Sequence, residues 1–344
     1  MTLTVALAIL GAIVLAAVLA HGIWSARRAS PRQPVATTAQ GEPREPAFAE
    51  ALPSTAAAAP AEPKRRNAAR LDPLIDAIVP LAVEQPVSGE SALLHLPASR
   101  RAGSKPLLIE GLNADSGEWE TPLPGRRYSE FQAGVQMANR GGAINEIEYS
   151  EFVQKVQAFA ESVGAMGQPP DMLDVVARSR ELDAFASSHD AQLAVRLQAN
   201  GAAWSVGFLA QHASRHGFVP GAVPGRLVHP GGGGNDDASA PPMLTLSFDP
   251  QAALAEDPAQ AAVSNATLAL DVPQTDAAVE PFAQWQQAAR ALAADLDAVL
   301  VDDAGRPLSL HAFAAIGKDL GVLYAALQAR DLAAGSPAAR RLFS

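Results

Sequence analysis

The chain carries the stretch FQAGVQMANRGGAINEIEYSEFVQKVQAFAESVGA at residues 131–165 and the similar stretch ATLALDVPQTDAAVEPFAQWQQAARALAADLDAVL at residues 266–300. Each begins with alternating apolar and polar residues, a pattern that is typical of a strand with one buried face. Each then passes through a turn into apolar residues at helical spacing, with an aromatic residue in the second helical turn, Phe152 or Trp285. Both stretches therefore predict a strand, a turn and an amphipathic helix, and they indicate an α+β fold class.

Similar elements surround both stretches, and a further helix follows each one, from Asp171 onward and from Ser309 onward. We therefore interpret residues 71–187 and 189–331 as two tandem copies of one βαβββα-type unit, each an antiparallel sheet with helices on one face. Because the identity between the copies is low, the alternative is a chance similarity of two α+β stretches. Residues 332–344 are expected to form a loose tail.

The helix predicted over residues 144–164 has recognisable ends, because Asn145 can cap its amino terminus and Gly164 can end it. In the strand before it, Gln132 and Gln136 alternate with apolar residues, which predicts a polar outer face for the first sheet. The apolar residues of the helix are expected to form one buried face, made of Ile147, Phe152, Val153, Val156 and Phe159.

The amino-terminal run Leu3–Ile23 contains no charged side chain, and its length suits a helix that crosses a bilayer. Trp24, Arg27 and Arg28 follow directly, and no basic residue precedes the run. The positive-inside rule then places the amino terminus outside the membrane and everything from Trp24 onward in the cytoplasm. The alternative is a cleaved signal peptide, but that would carry basic residues before a shorter apolar core. We predict a transmembrane anchor at residues 1–24.

Residues 25–70 are rich in Pro and Ala and contain few large apolar side chains, which predicts a disordered linker. Residues 24–70 carry eight Lys and Arg against four Glu, whereas the whole chain has a net charge of −10. The linker is therefore basic and should be attracted to anionic lipid headgroups, while the remainder of the chain is acidic. An acidic body does not suit nucleic acid, so we expect no nucleic-acid partner.

The sequence offers no positive sign of catalysis, and we predict a protein that binds and is not an enzyme. It has no cysteine, which excludes disulfides, thiolate nucleophiles and cysteine-based zinc sites. His212 and His216 lie four residues apart on a predicted helix, but no third ligand is near in the sequence. We expect these histidines to face solvent, and we expect no metal, no cofactor and no small-molecule substrate.

The order of these features resembles the ZipA family of membrane-anchored cell-division proteins, which bind the tubulin-like protein FtsZ. The run LAHGIWSARR at residues 19–28 is similar to that family's anchor, and HGFVPG at residues 216–221 also fits the family. The strand at residues 266–273, the helix Phe282–Asp297 and the stretch AVLVDDAGRPLSLHAF at residues 298–313 resemble the end of its FtsZ-binding domain. The resemblance covers the anchor and residues 189–331, and it reaches residues 71–187 only through the internal repeat.

The resemblance implies a six-stranded antiparallel sheet with helices on one face and, on the other, a shallow apolar groove for the carboxy-terminal tail of FtsZ. It implies a tether that anchors and stabilises FtsZ filaments at the inner membrane, at the division septum. The alternative is a membrane-anchored scaffold with a different cytoplasmic protein partner. Which of the two units would carry the binding surface stays open.

The groove positions of the family fall near Ala194, Val223, Phe248 and Ala269, and these four are the predicted peptide-binding residues. Thr245 and Ser247 are expected to share their face. Bulky Met and Phe side chains are usual at several of these positions in the family. Because two of the four are Ala here, the groove is expected to be shallower, or the binding surface to have moved to the first unit.

Overall fold

A computed structural model describes Arg32 and residues 70–230, 241–257, 261–308 and 310–344. The predicted α+β class with antiparallel sheets is confirmed. Within these residues, no helix combines the length and the apolar character needed to cross a bilayer. The predicted anchor Leu3–Ile23 lies outside the described residues, as does most of the predicted linker.

The described residues form two compact units. Unit A contains residues 70–190 and 323–344, and unit B contains residues 191–322 together with Arg32, within the described ranges. The helices are α1 (Gly89–His95), α2 (Glu146–Val163), α3 (Met172–His189), α4 (Val206–Arg215), α5 (Pro250–Ala253), α6 (Pro281–Leu296), α7 (Leu310–Gln328) and α8 (Pro337–Leu342), with a short 3₁₀ turn at Ala277–Val279.

The strands of unit A are β1 (Asp76–Ser88), β2 (Arg101–Ala102), β3 (Lys105–Asn113), β4 (Trp119–Glu120), β5 (Arg127–Gln136), β6 (Ala138–Asn139), β7 (Gly142–Ala143) and β8 (Ala165–Met166). Its main sheet is antiparallel and runs in the order β2-β3-β5-β1-β8, and β4 also pairs with β3. Helix α2 packs on β1, β5 and β8. Phe131 of the sheet meets Phe159 of α2 edge to face, with ring centroids 5.4 Å apart.

Helix α2 has the ends that its sequence predicts. The Asn145 side chain accepts hydrogen bonds from two backbone N–H groups of the first turn, and Gly164 ends the helix in the left-handed conformation. Phe152, Val156 and Phe159 are buried as expected. The prediction for Ile147 is wrong, because its side chain is 81% exposed. Ile147 precedes Phe152 by five residues, and at 3.6 residues per turn this spacing places it well away from the buried face.

The carboxy-terminal segment, expected to be a loose tail, is instead folded into unit A. Its helix α8 begins after the cap Ser336, and Leu342 and Phe343 are 0% and 1% exposed within the core of this unit. The last part of α7 also belongs to unit A, where Leu327 is 0% exposed. The domain boundary predicted at residue 331 therefore does not follow the structure at this end, because apolar side chains beyond it complete the core of unit A.

The outer face of the unit A sheet is polar, as its sequence predicts, and it is partly covered. Gln132 donates a hydrogen bond of 2.7 Å to Glu110, whose other carboxylate oxygen accepts the backbone N–H of Leu71 at 3.1 Å. The Leu71 side chain lies over Gly134, where a Cβ atom would come within 2.3 Å of it. A partner segment would have to displace Leu71 to reach this part of the sheet.

The strands of unit B are β9 (Gln192–Ala199), β10 (Trp204–Ser205), β11 (Val219–Pro220), β12 (Arg226–His229), β13 (Leu244–Ser247), β14 (Ala262–Val263), β15 (Asn265–Asp271) and β16 (Ala298–Val301). Its main sheet is antiparallel, with six strands in the order β11-β12-β13-β15-β9-β16. Helix α6 packs on β9, β15 and β16. Trp285 of α6 is 1% exposed, and its indole N–H donates to the Leu268 carbonyl at 3.2 Å.

The two sheets share one strand order. The order β2-β3-β5-β1-β8 in unit A corresponds, strand for strand along the chain, to β12-β13-β15-β9-β16 in unit B. In both units a helix follows the first strand, a longer helix precedes the last strand, and another helix comes after it. Phe152 and Trp285 are buried on the equivalent helices α2 and α6, as the matching sequence pattern predicts.

Candidate functional site

The unit B sheet buries one face and leaves the other open. Along β9, Val195 and Leu197 are buried on the side of α6, whereas Ala194 and Gln198 are exposed on the opposite side. The same alternation follows β15, where Leu268 is buried and its neighbours are half-buried. We call the side opposite α6 the open face. An antiparallel sheet with one such face can present every second side chain to a partner.

Four small or apolar residues lie side by side across the open face. Val228 pairs with Thr245, Thr245 with Ala269, and Ala269 with Ala194, so one residue from each of β12, β13, β15 and β9 is in line. Neighbouring strands are about 4.8 Å apart, so this line is about 14 Å long. We call these four residues the central row. Their short side chains make a shallow surface and not a deep pocket.

A second line of paired residues lies two positions along each strand from the central row, and an arginine stands at each of its ends. Arg226 pairs with Ser247, Ser247 with Thr267, and Thr267 with Arg196. Arg226 is exposed and Arg196 half-buried. We call these four residues the arginine row. It lies about 7 Å from the central row, which is within reach of one peptide segment. The open face therefore carries two cations on one side of an apolar line, although the whole chain is acidic.

The structure brings together two of the four predicted site residues and places the other two at the end of the sheet. Ala194 and Ala269 are direct cross-strand partners in the central row. Val223 is 52% exposed in the turn before β12. Phe248 follows β13 directly, is half-buried, and donates its backbone N–H to the Gly225 carbonyl at 2.8 Å.

Phe248 lines a depression of about 490 Å³ at this end of the sheet. The remaining lining residues are mostly polar or small, and they are Ser247, Asp249, Ala262, Val263, Ser264, Asn265 and Thr267. Thr245 and Ser247 share the open face, as their sequence alternation predicts. The sequence reasoning did not include Val228, Arg196 or Arg226. Arg196 stands two residues after Ala194, so period-two alternation along β9 could have found it.

The two histidines considered as metal ligands have separate roles. His216 contacts Asp295 at 2.8 Å between Nε2 and a carboxylate oxygen. The expectation that both face solvent is wrong for His212, which is 9% exposed and packs on Phe208 with ring centroids 4.2 Å apart. Within the described residues, no group of three or more potential ligands is arranged to hold a metal ion.

Burial of His212 is expected to make the stability of unit B depend on pH. Loss of hydration lowers the pKa of its imidazole below the ordinary 6.5. Arg215 and His216 also lower this pKa, whereas Asp295 raises it. The unfolded state therefore binds a proton more readily, so the unfolding midpoint should fall as pH drops below about 6.5. Thermal unfolding of the chain at pH 7.5 and at pH 5.5 should show this loss, and His212→Met should reduce it. An unchanged pH dependence in the variant would contradict the assignment to His212.

One family model matches the chain in this unit. Residues 252–318 match the model described as ZipA, C-terminal FtsZ-binding domain. The matched segment includes β14, β15, α6 and β16, and among the predicted site residues it contains Ala269. A comparison with curated proteins finds no match to the chain. The predicted resemblance is confirmed for this segment, and the chain is ZipA-like over residues 252–318 of unit B.

Proposed function

We propose that the open face of unit B binds the carboxy-terminal tail of FtsZ and that the chain acts in cell division through this contact. The match of residues 252–318 to an FtsZ-binding domain carries the proposal. The matched segment supplies β15, and this strand contributes one residue to the central row and one to the arginine row. This binding role requires no catalytic group.

The chemistry of the open face suits a short amphipathic peptide. Apolar side chains of the peptide would cover the central row and remove its apolar surface from water. Carboxylates of the peptide would approach Arg196 or Arg226, which lie at the two ends of the arginine row. Because Ala194 and Ala269 are small, the peptide would lie across the surface without a deep anchor pocket.

Unit A is less suited to this role, although its sheet has the same strand order. Leu71 lies over Gly134 on its outer face, and Glu110 is engaged by Gln132 and by the Leu71 backbone. We infer that the units are two copies of one fold and that unit B kept the binding surface. The shared strand order supports this inference.

The tethering part of the function depends on the amino-terminal sequence. We propose that Leu3–Ile23 crosses the inner membrane with the amino terminus in the periplasm. The contact of unit B with FtsZ would then hold and stabilise filaments at the membrane of the division septum.

Co-sedimentation of the full chain, in detergent micelles, with FtsZ tests the proposal. The chain should sediment with FtsZ filaments, and it should remain in the supernatant when FtsZ lacks its carboxy-terminal tail. A synthetic tail peptide should compete, and a peptide of the same composition in scrambled order should not. Equal binding to the tail-less protein would contradict the proposed site. Absence of binding to FtsZ would favour the alternative scaffold with a different partner.

A further inference from the structure

Arg32 lies against unit B, far in sequence from its contacts. Its backbone N–H donates to the Ala203 carbonyl at 2.7 Å, and its carbonyl accepts the Ser205 N–H at 2.8 Å. These two bonds form a parallel bridge to Trp204 of β10, which also pairs with β14 on its other side. The backbone at position 32 thus extends a two-stranded sheet, which is a common way to bind an extended segment.

The Arg32 side chain binds the carboxyl end of α6. One guanidinium nitrogen donates to the Leu296 carbonyl at 3.1 Å, and the other contacts the Asp297 carboxylate at 2.5 Å. Helix carboxyl ends favour cations, because their last carbonyl groups have no partner within the helix. The Trp204 indole N–H donates to the same Leu296 carbonyl at 2.8 Å, and Trp204 is 0% exposed. The buried indole therefore fixes the Leu296 carbonyl that Arg32 also contacts.

We propose that these residues form a docking site for the chain's own Arg32. We call the contact the Arg32 clasp, made by Arg32, Ala203–Ser205, Leu296 and Asp297. The site takes an extended segment that presents an arginine, because it offers both strand-like backbone groups and an anionic helix end. Arg32 holds the pKa of the Asp297 carboxyl below its usual value, and Asn200 adds to this effect, which agrees with the ion pair.

The clasp changes what the predicted linker does. Only residues 25–31 separate the predicted anchor from the clasp, and seven residues span at most about 25 Å. Without the clasp, the 46 residues 25–70 could reach about 150 Å. Unit B, with its open face, would thus be held close to the membrane. This consequence rests on the proposed anchor, whereas the clasp itself does not.

Trypsin can test the clasp, since it cleaves after arginine and the chain offers both Arg32 and Arg44 in the predicted linker. With the full chain in detergent micelles, initial cleavage rates after each residue are measured by mass spectrometry. Trypsin can cleave a docked segment only after the segment is released. The cleavage rate after Arg32 therefore follows the fraction of molecules in which Arg32 is released. Asp297→Asn should accelerate cleavage after Arg32 about two- to fivefold, the effect of removing the charge from an exposed ion pair. Cleavage after Arg44 should not change.

Asp297→Asn is suitable because Asp297 has φ +49°, a conformation that Asn tolerates. Asp303→Asn is the matched control, since it removes the same charge from an exposed turn nearby. Equal cleavage after Arg32 in the parent and in Asp297→Asn would overturn the proposal. Acceleration after Arg44 as well, or an equal acceleration in Asp303→Asn, would indicate general loosening and also overturn it. The test does not involve FtsZ, so its result is independent of the proposed function.

Discussion

Replacing Arg341 by Ala is expected to destabilise unit A by about 3–5 kcal/mol, because it leaves a buried carboxylate without its cation. The Asp76 side chain is 0% exposed, and the Arg341 guanidinium donates to both of its oxygens, at 2.7 and 2.6 Å. The same guanidinium also donates to the Arg70 carbonyl at 2.8 Å. Truncation would remove all three bonds together.

Chemical unfolding of the full chain measures this effect. Arg180→Ala is the matched control, because Arg180 pairs with Glu146 at 3.1 Å on the surface and its side chain is 68% exposed. Such exposed pairs contribute about 0.2–1 kcal/mol. Joint replacement, Asp76→Asn with Arg341→Met, should cost less than Arg341→Ala alone, since no charge stays buried. A loss in Arg341→Ala no larger than in Arg180→Ala would show that the buried pair does not stabilise this unit.

The local part of the fold could be predicted because its causes are local. Asn145 and Gly164 mark the ends of α2 through hydrogen bonds and backbone conformations that involve only a few neighbouring residues. Alternation along β9 and β15 likewise predicts which side chains share a face. Ile147 is apolar, but its angle around the helix axis turns it away from the buried face, so apolar character alone does not predict its burial.

The long-range part of the fold could not be predicted in the same way. Arg341 and Asp76 are 265 residues apart, and no pattern in either segment indicates that they meet. The segment after Gly335 looks like a tail because it is short, yet Leu342 and Phe343 complete the core of unit A. Arg32 presents the same difficulty, because in sequence it is one of several arginines in a predicted linker.

The candidate site was predictable in one part and not in another. The family resemblance implies only that Ala194 and Ala269 line one groove, and the strand register then pairs them and adds Val228 and Thr245 to the same row. Register depends on which strands are neighbours, and a single sequence does not specify this. Phe248 and Val223 were expected with the alanines, but they lie at the end of the sheet, where β13 stops and the turn before β12 begins.

Ala269→Glu is expected to weaken binding of the FtsZ tail about thirtyfold or more, if the central row is the contact surface. Ala269 lies in the middle of this row, between Thr245 and Ala194. A carboxylate there would have to lose water under the peptide, and the peptide would lose its apolar contact. A loss of about 2 kcal/mol, the size found for the few residues that dominate binding at the centre of an interface, corresponds to this factor. Fluorescence anisotropy of a labelled tail peptide with the full chain measures the affinity.

Ala283→Glu separates a lost contact from a damaged fold. Ala283 is exposed in the first turn of α6, on the helical side of the same unit, where a carboxylate is favourable. This variant should bind the peptide as the parent does, and both variants should keep the parent's unfolding midpoint within a few degrees. Parent-like affinity in Ala269→Glu would move the site away from the central row. The depression beside Phe248 would then be the next surface to examine, since it lies at the end of the same sheet, outside that row.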